Sequence, residues 1–400
     1  MIVKLNHLLI IALGFLGPIT VAGGNLIAGL IILLWFLSGN YKQKIQKILS
    51  NKIAISSLLF FLAYIFGLLW AFDLEDGLKR VAKMIEFGLL IPILISIVDK
   101  KNFETYLLSF FLAIALTVIL SFLIFLEIIS PFSGSYVANP VVFSSHISHG
   151  PIVAIGFYFA TLKLFSQKWE AMKARKIYNT FLLLLSFFSM VGVLITLGRA
   201  GHIVFFILLM LLFIQILGFS LKSILLGALA GILIFSFAFS ILSGFKSKVE
   251  TTNSNLSNIT ENRLSSIGRR FVMFENSLEI YKQYPFFGSG TGSLIHEYEK
   301  VMNDRKKSDP DLLLMASTTN NPHNMYILVA AELGIMGLFF LFNLYYQQFK
   351  LAIAHKNKLK KNLLIGVVIS FFALNFSDSY FLGHFSTFLY AYLVSILSID

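Results

Sequence analysis

Long apolar runs separated by short polar links recur along the whole chain; Phe181–Ile195 and Ile203–Leu217 are two of them. A helix needs roughly 20 such residues to cross a bilayer. In hydrocarbon the backbone must satisfy its own hydrogen bonds, which leaves helices or closed barrels. The pattern predicts twelve spans, at about 7–21, 24–38, 54–71, 81–98, 104–128, 149–166, 178–197, 202–218, 222–243, 324–348, 362–378 and 380–397. The first two are short and meet at Gly23-Gly24, which suggests a partly buried hairpin. The expected fold class is an all-α polytopic membrane protein with about 12 transmembrane helices and one large loop that itself contains helices. Residues 1–243 would hold helices 1–9, residues 244–322 the loop, and residues 323–400 helices 10–12. No internal repeat is evident.

Composition sharpens this picture. Of 400 residues, 57% are hydrophobic and only 13% charged, against about a quarter charged in soluble domains. The net charge of +12 does not point to nucleic acid, because Lys and Arg sit mainly in short links, where they orient a protein in its membrane. With the N-terminus inside, the inner links carry sixteen basic residues, among them Lys42, Lys44, Lys47, Lys168, Lys356 and Lys361. The short outer links carry four: Lys79, Arg80, Lys83 and Arg199. Both termini are therefore expected in the cytoplasm. The chain has no cysteine, so disulfides and thiolate metal sites are excluded. The first apolar run leads into a second without a cleavage site, so a retained span is expected rather than a leader.

The hydrophilic stretch 244–322 falls outside in this topology. It opens on a polar tract, Thr251–Asn258, expected to be flexible, and continues into a predicted helix, Arg270–Tyr284, with Phe271, Phe274, Leu278 and Tyr281 on one face. The run Pro285-Phe286-Phe287-Gly288-Ser289-Gly290-Thr291-Gly292 then breaks the chain. A structureless loop of this length is uncommon, so a partly folded cap on the membrane domain is expected.

Three features of that outer face carry candidate chemistry. His323, in Asn320-Asn321-Pro322-His323-Asn324-Met325-Tyr326, stands at the lip of a span; an imidazole titrates at about 6.5 and suits general-base work near neutrality. Arg199, in Thr196-Leu197-Gly198-Arg199-Ala200-Gly201, lies between two dense apolar runs. It reads either as a snorkelling interfacial side chain or as a forked clamp for phosphate. Arg269 and Arg270 open the loop helix, where cations oppose the macrodipole; an anion between them and the helix start would resolve the conflict. Glu332 lies nine residues beyond His323, about 13 Å along a helix, too far to orient it, so a role in holding the bundle together is expected.

Other signals are weaker. His146 and His149 have i, i+3 spacing but no acidic third ligand nearby, so contact with substrate or capping is favoured over metal. Asp309-Pro310-Asp311 only superficially resembles the acidic pair of nucleotide-sugar transferases. Gly288–Gly292 lacks the strand–helix setting of a dinucleotide loop. Lys79, Arg80 and Lys83, with Glu86, read as an interfacial helix end that could also touch lipid phosphate.

In combination these motifs resemble the O-antigen ligase and O-antigen polymerase superfamily. The matching elements are Thr196-Leu197-Gly198-Arg199, then Arg270 with Phe274 and the turn from Pro285 to Gly290. The last is His323, Asn324 and Tyr326 running into Glu332, Gly334 and Gly337. The resemblance spans about residues 180–340; Phe274 replaces a commoner tryptophan and Gly198 a frequent serine. It implies a metal-independent glycosyltransferase of the GT-C-like membrane type, without cofactor, on the periplasmic face of a bacterial inner membrane. The implied donor is a glycan on undecaprenyl diphosphate, and the implied acceptor is lipid A–core oligosaccharide. Arg199, Arg270 and Arg269 would hold the diphosphate, His323 would take the acceptor's proton, and Asn324, Tyr326 and Glu332 would support them. The polymerase branch uses the same donor with a lipid-linked repeat as acceptor. A protein O-glycosylating enzyme is a further relative, and a transporter or flippase of lipid-linked sugars is the alternative of another class. Inverted repeats favour that last reading in other proteins, and none is evident here.

Overall fold

The computed structural model describes residues 2–132, 134–166, 173–257 and 263–399, and among them the regular structure is helical. The elements run α1 (Ile2–Leu16), α2 (Val21–Leu37), α3 (Tyr41–Ser50), α4 (Lys52–Phe66), α5 (Leu74–Ala82), α6 (Ile91–Ile97) and α7 (Phe103–Phe125). Next come α8 (His146–Ser166), α9 (Lys173–Ile195), α10 (Arg199–Leu217) and α11 (Leu221–Ile241). The loop segment forms α12 (Ser243–Ser257), α13 (Ser266–Gln283) and α14 (Leu294–Ser308), and the chain closes with α15 (Met325–Ala354), α16 (Lys358–Ser377) and α17 (His384–Leu397).

Eight of the described helices are long and apolar enough to cross a membrane, and four shorter apolar helices accompany them. These twelve correspond to the predicted spans, with three changes. The first hairpin turns at Gly17–Thr20 rather than at Gly23-Gly24, because Thr20 caps α2 by accepting the Gly23 N–H, leaving both glycines inside that helix. The fourth span, 81–98, is not one helix. Amphipathic α5 ends at Ala82, and a π turn over Glu86–Leu90 leads into α6. The tenth is interrupted at Gly334.

The segment 244–322 departs further from expectation. Residues Thr251–Ser257 belong to α12 instead of a flexible tract, with Phe245 buried at its start; Asn258 lies outside the described residues. Helix α13 starts four residues before Arg270, capped by Ser265, which accepts the Gly268 N–H at 3.0 Å. Its buried face is Val272, Asn276 and Ile280, while Phe271 and Leu278 are exposed. Of the predicted stripe, Phe271 and Leu278 point outward while Phe274 and Tyr281 are partly buried, and α13 packs on α15.

The break in α15 explains the Pro285–Gly292 run. Gly334 has φ 64° and ψ −157°, a region essentially closed to residues with a Cβ, so the α-helical ladder lapses there. The loop takes over the freed backbone groups. Ser289 N–H donates to Ala331 C=O at 2.9 Å and Gly290 N–H to Glu332 C=O at 3.0 Å. In return Ile335 N–H reaches Pro285 C=O at 2.9 Å and Met336 N–H reaches Phe286 C=O at 3.2 Å. The approach is so close that a Cβ on Gly334 would collide with the Phe286 carbonyl, and one on Gly288 with the Glu332–Leu333 peptide. Thr291 then anchors the loop to the end of α4, its N–H on Gly67 C=O and its hydroxyl on Tyr64 C=O. Irregular backbone at this depth is tolerated because protein surrounds it.

Candidate active site

The starts of α8, α10 and α15 and the end of α16 lie on the face that carries the 244–322 segment, and they gather the candidate residues. Asn324 caps α15, accepting from Tyr326 and Ile327 N–H at 3.0 and 3.1 Å, while its amide donates to Phe376 C=O at 3.2 Å. Tyr326 donates to Phe372 C=O at 2.8 Å. Both side chains thus clamp the start of α15 to the last turns of α16, one residue short of Asp378.

That clamp sets His323 against Asp378. His323 adopts φ 54°, with its N–H held by the Asn321 side-chain oxygen at 2.9 Å. Its Nδ1 lies 3.1 Å from both Oδ1 and Oδ2 of Asp378. A carboxylate there fixes the tautomer with hydrogen on Nδ1 and leaves Nε2 to accept a proton. Asn321 also donates to Asp378 Oδ1 at 3.2 Å, as does Ser379 N–H at 2.7 Å. Burial works against the Asp378 charge, but the His323 contact, the Ser379 N–H and the Asn321 amide outweigh it and hold the carboxyl below its usual range. The sequence reading missed Asp378; its signal is a lone carboxylate at the end of a span.

Two arginines complete the group. Arg270 donates to Ser377 C=O at 2.8 Å and stands 3.9 Å from Asp378 Oδ2. Arg199, the first residue of α10, donates to Ser266 Oγ at 2.8 Å. Ser266 precedes Arg270 by one turn of α13, so the two guanidinium groups share a neighbourhood. Arg269 is exposed and turned about 100° round the helix from Arg270, and it makes none of these contacts. His146 opens α8 with its carbonyl against Gly198, and His149 is buried with Nδ1 3.3 Å from Val142 N and O. Among the described residues no three His, Asp or Glu side chains form a group suited to a metal ion.

A second centre lies deeper. Glu332 is fully buried and Arg80 is 5% exposed. Arg80 Nε lies 3.1 Å and Nη2 3.0 Å from Glu332 Oε1, and Nη2 also donates to Asn320 C=O at 2.6 Å. Arg80 is therefore an internal tie between the broken helix and the turn that carries His323, not a lipid-facing side chain. Lys79 does remain at the surface, paired with Glu75 at 2.7 Å, and Glu86 is buried 3.7 Å from His384. Asp309 pairs with Arg263, a local contact within the cap.

Residues 180–342 match the O-antigen ligase family. The matched stretch runs from α9 to the middle of α15 and includes Arg199, Arg270, His323 and Glu332; Arg80 and Asp378 come from outside it. The match supports an O-antigen ligase or polymerase type of function in a membrane protein, and the motifs that suggested it lie within the matched stretch. Among curated proteins, none matches the chain.

Proposed function

We propose that the protein is an O-antigen ligase-type glycosyltransferase of lipopolysaccharide biosynthesis. It moves a glycan from undecaprenyl diphosphate to lipid A–core oligosaccharide at the periplasmic face of the inner membrane. The observation that carries this reading is the His323–Asp378 pair beside Arg270 and Arg199. The acceptor hydroxyl oxygen attacks the anomeric carbon, and its proton passes to His323 Nε2 while Asp378 stabilises the imidazolium that forms. The bond between that carbon and the phosphate oxygen breaks, and its electron pair leaves with the diphosphate. Arg199 and Arg270 stabilise the charge that grows there. Two fixed guanidinium groups offer forked donors to phosphate oxygens, so the leaving group is matched in both charge and geometry.

The test is complementation of a deletion strain, read from its lipopolysaccharide on a gel. The wild-type gene restores long polysaccharide on the core, whereas His323→Ala and Arg199→Ala, present in the membrane at equal amounts, do not. A deletion strain whose core bears a single repeat would instead assign the polymerase branch. Full attachment with His323→Ala would remove the general base from the mechanism.

A further inference from the structure

Beside Arg199 a cleft of about 350 Å3 opens between α10, α11 and α12. Arg199, Ile203 and Phe206 follow one another at helical spacing along α10, so the cleft descends from a charged mouth to an apolar floor. On α12, Phe245, Lys248, Val249 and Thr252 line the opposite wall at i, i+3, i+4 and i+7. Phe235 of α11 closes the floor, its ring 5.4 Å from Phe245 and 6.2 Å from Phe206. The neighbouring α11 is the least buried of the eight long apolar helices, so this side of the bundle faces lipid.

Two cations guard the mouth without an anion to answer them. Among the described residues neither Arg199 nor Lys248 forms an ion pair, whereas Lys246, on another side of α12, faces Glu250. Burial and then the charge of Arg199 both push the Lys248 ammonium below its usual range, a cost that a bound anion would offset.

We propose that this cleft receives the isoprenoid segment next to the diphosphate of the donor, with Lys248 joining Arg199 on the phosphate oxygens. The inference rests on the transferase reading and adds to it a lipid-tail site and a third phosphate ligand. A cleft of this size takes only the head-proximal part of a long polyisoprenoid, and the remainder runs along α11 in the bilayer. Loss of a single charged contact of this kind lowers affinity about ten-fold or more.

The experiment measures binding to the full-length protein in phosphatidylcholine nanodiscs. Its probes are a polyisoprenyl diphosphate, inorganic diphosphate and phosphatidylglycerol. Lys248→Ala should weaken the lipid diphosphate about ten-fold, with Lys248→Arg restoring most of it. Val249→Trp, which fills the cleft, should weaken the lipid diphosphate similarly and leave inorganic diphosphate within about two-fold. The lysine pair carries the test by itself if the tryptophan variant does not fold. Wild-type binding by Lys248→Ala and Val249→Trp, or equal competition by phosphatidylglycerol, overturns the proposal. If that happens while Arg199→Ala still abolishes binding and His323→Ala abolishes transfer, the cleft assignment fails and the transferase reading stands. If the wild-type protein ignores the lipid diphosphate and His323→Ala retains transfer, both fall.

Discussion

Arginine is used in two opposite ways on one face of this molecule. Arg80 is almost completely buried, and its guanidinium is answered by the Glu332 carboxylate and the Asn320 carbonyl. Arg199 and Arg270 are only half-buried; a serine hydroxyl answers one, and a carbonyl with a carboxylate at 3.9 Å the other. A buried charge must be matched inside the protein, and Arg80, shut off from water, spends its charge on Glu332 and Asn320. A half-buried guanidinium with donors to spare can exchange water for phosphate. Degree of compensation, rather than the residue type, separates the structural arginine from the candidate catalytic ones.

The sharpest way to break this contrast is to remove one member of the dry pair. Arg80→Ala or Glu332→Ala leaves its partner buried and uncompensated, which costs about 3–5 kcal/mol. The expected result is a large fall in the unfolding midpoint, or loss of folded protein from the membrane, read by fluorescence-detected size exclusion. Arg80→Met combined with Glu332→Leu should recover much of the stability, because replacing both charges relieves the mismatch. Recovery of stability without recovery of transfer would also show that the link to Asn320 positions the His323 turn.

The wet pair should respond in the opposite sense. Arg270→Ala is expected to lower transfer by roughly 10²–10³-fold, the usual loss when a preorganised donor to developing charge is removed. Its unfolding midpoint should stay near that of the wild type. Arg270→Lys keeps the charge but not the fork, and should fall between the two. A stability loss as large as that of Arg80→Ala would mean that Arg270 also belongs to the scaffold.

How much of this was legible in the sequence follows from the same distinction. The spans could be read because an apolar run near the bilayer's thickness has few alternative folds. His323, Arg199 and Arg270 could be read because each is a chemical exception beside such a run. Asp378 and Arg80 could not, since their partners are set by tertiary packing; Arg80 and Glu332 are 252 residues apart. Arg269 was joined to Arg270 by adjacency, yet neighbouring helical residues point about 100° apart. The polar tract after Lys248 looked flexible from composition alone, but α12 is held as a helix by Phe245 and the groups that line α10. The glycine-rich run was visible, whereas its purpose, filling the gap in α15, needed the positive φ of Gly334 and the reciprocal hydrogen bonds of the loop.

That joint gives a smaller effect with a defined location. Gly334→Ala places a Cβ in a conformation reserved for glycine and against the Phe286 carbonyl. A strained backbone of this sort costs about 1–3 kcal/mol. The expected outcome is a moderate fall in the unfolding midpoint with faster proteolysis in the Pro285–Gly292 loop, while a variant such as Leu313→Ala on the exposed part of the cap leaves both unchanged. Unaltered protection of the loop would mean that the break in α15 does not depend on it.

The smallest effect concerns Asp378, where the two kinds of polar centre meet. Its carboxyl is held below the usual aspartate value of about 3.9 by His323, Ser379 and Asn321 despite partial burial. A depressed folded value means that the unfolded chain binds protons more readily, so ionised Asp378 stabilises the fold above the unfolded value. That contribution is lost as pH falls through the folded one. Asp378→Asn removes it, so the gap in unfolding midpoint between wild type and variant should be present at pH 7 and should not shrink down to about pH 5. It should close only on further acidification. A gap that instead collapses between pH 7 and pH 6 would place the controlling titration outside Asp378, and would separate the carboxylate's hold on His323 from its share in stabilising the end of α16.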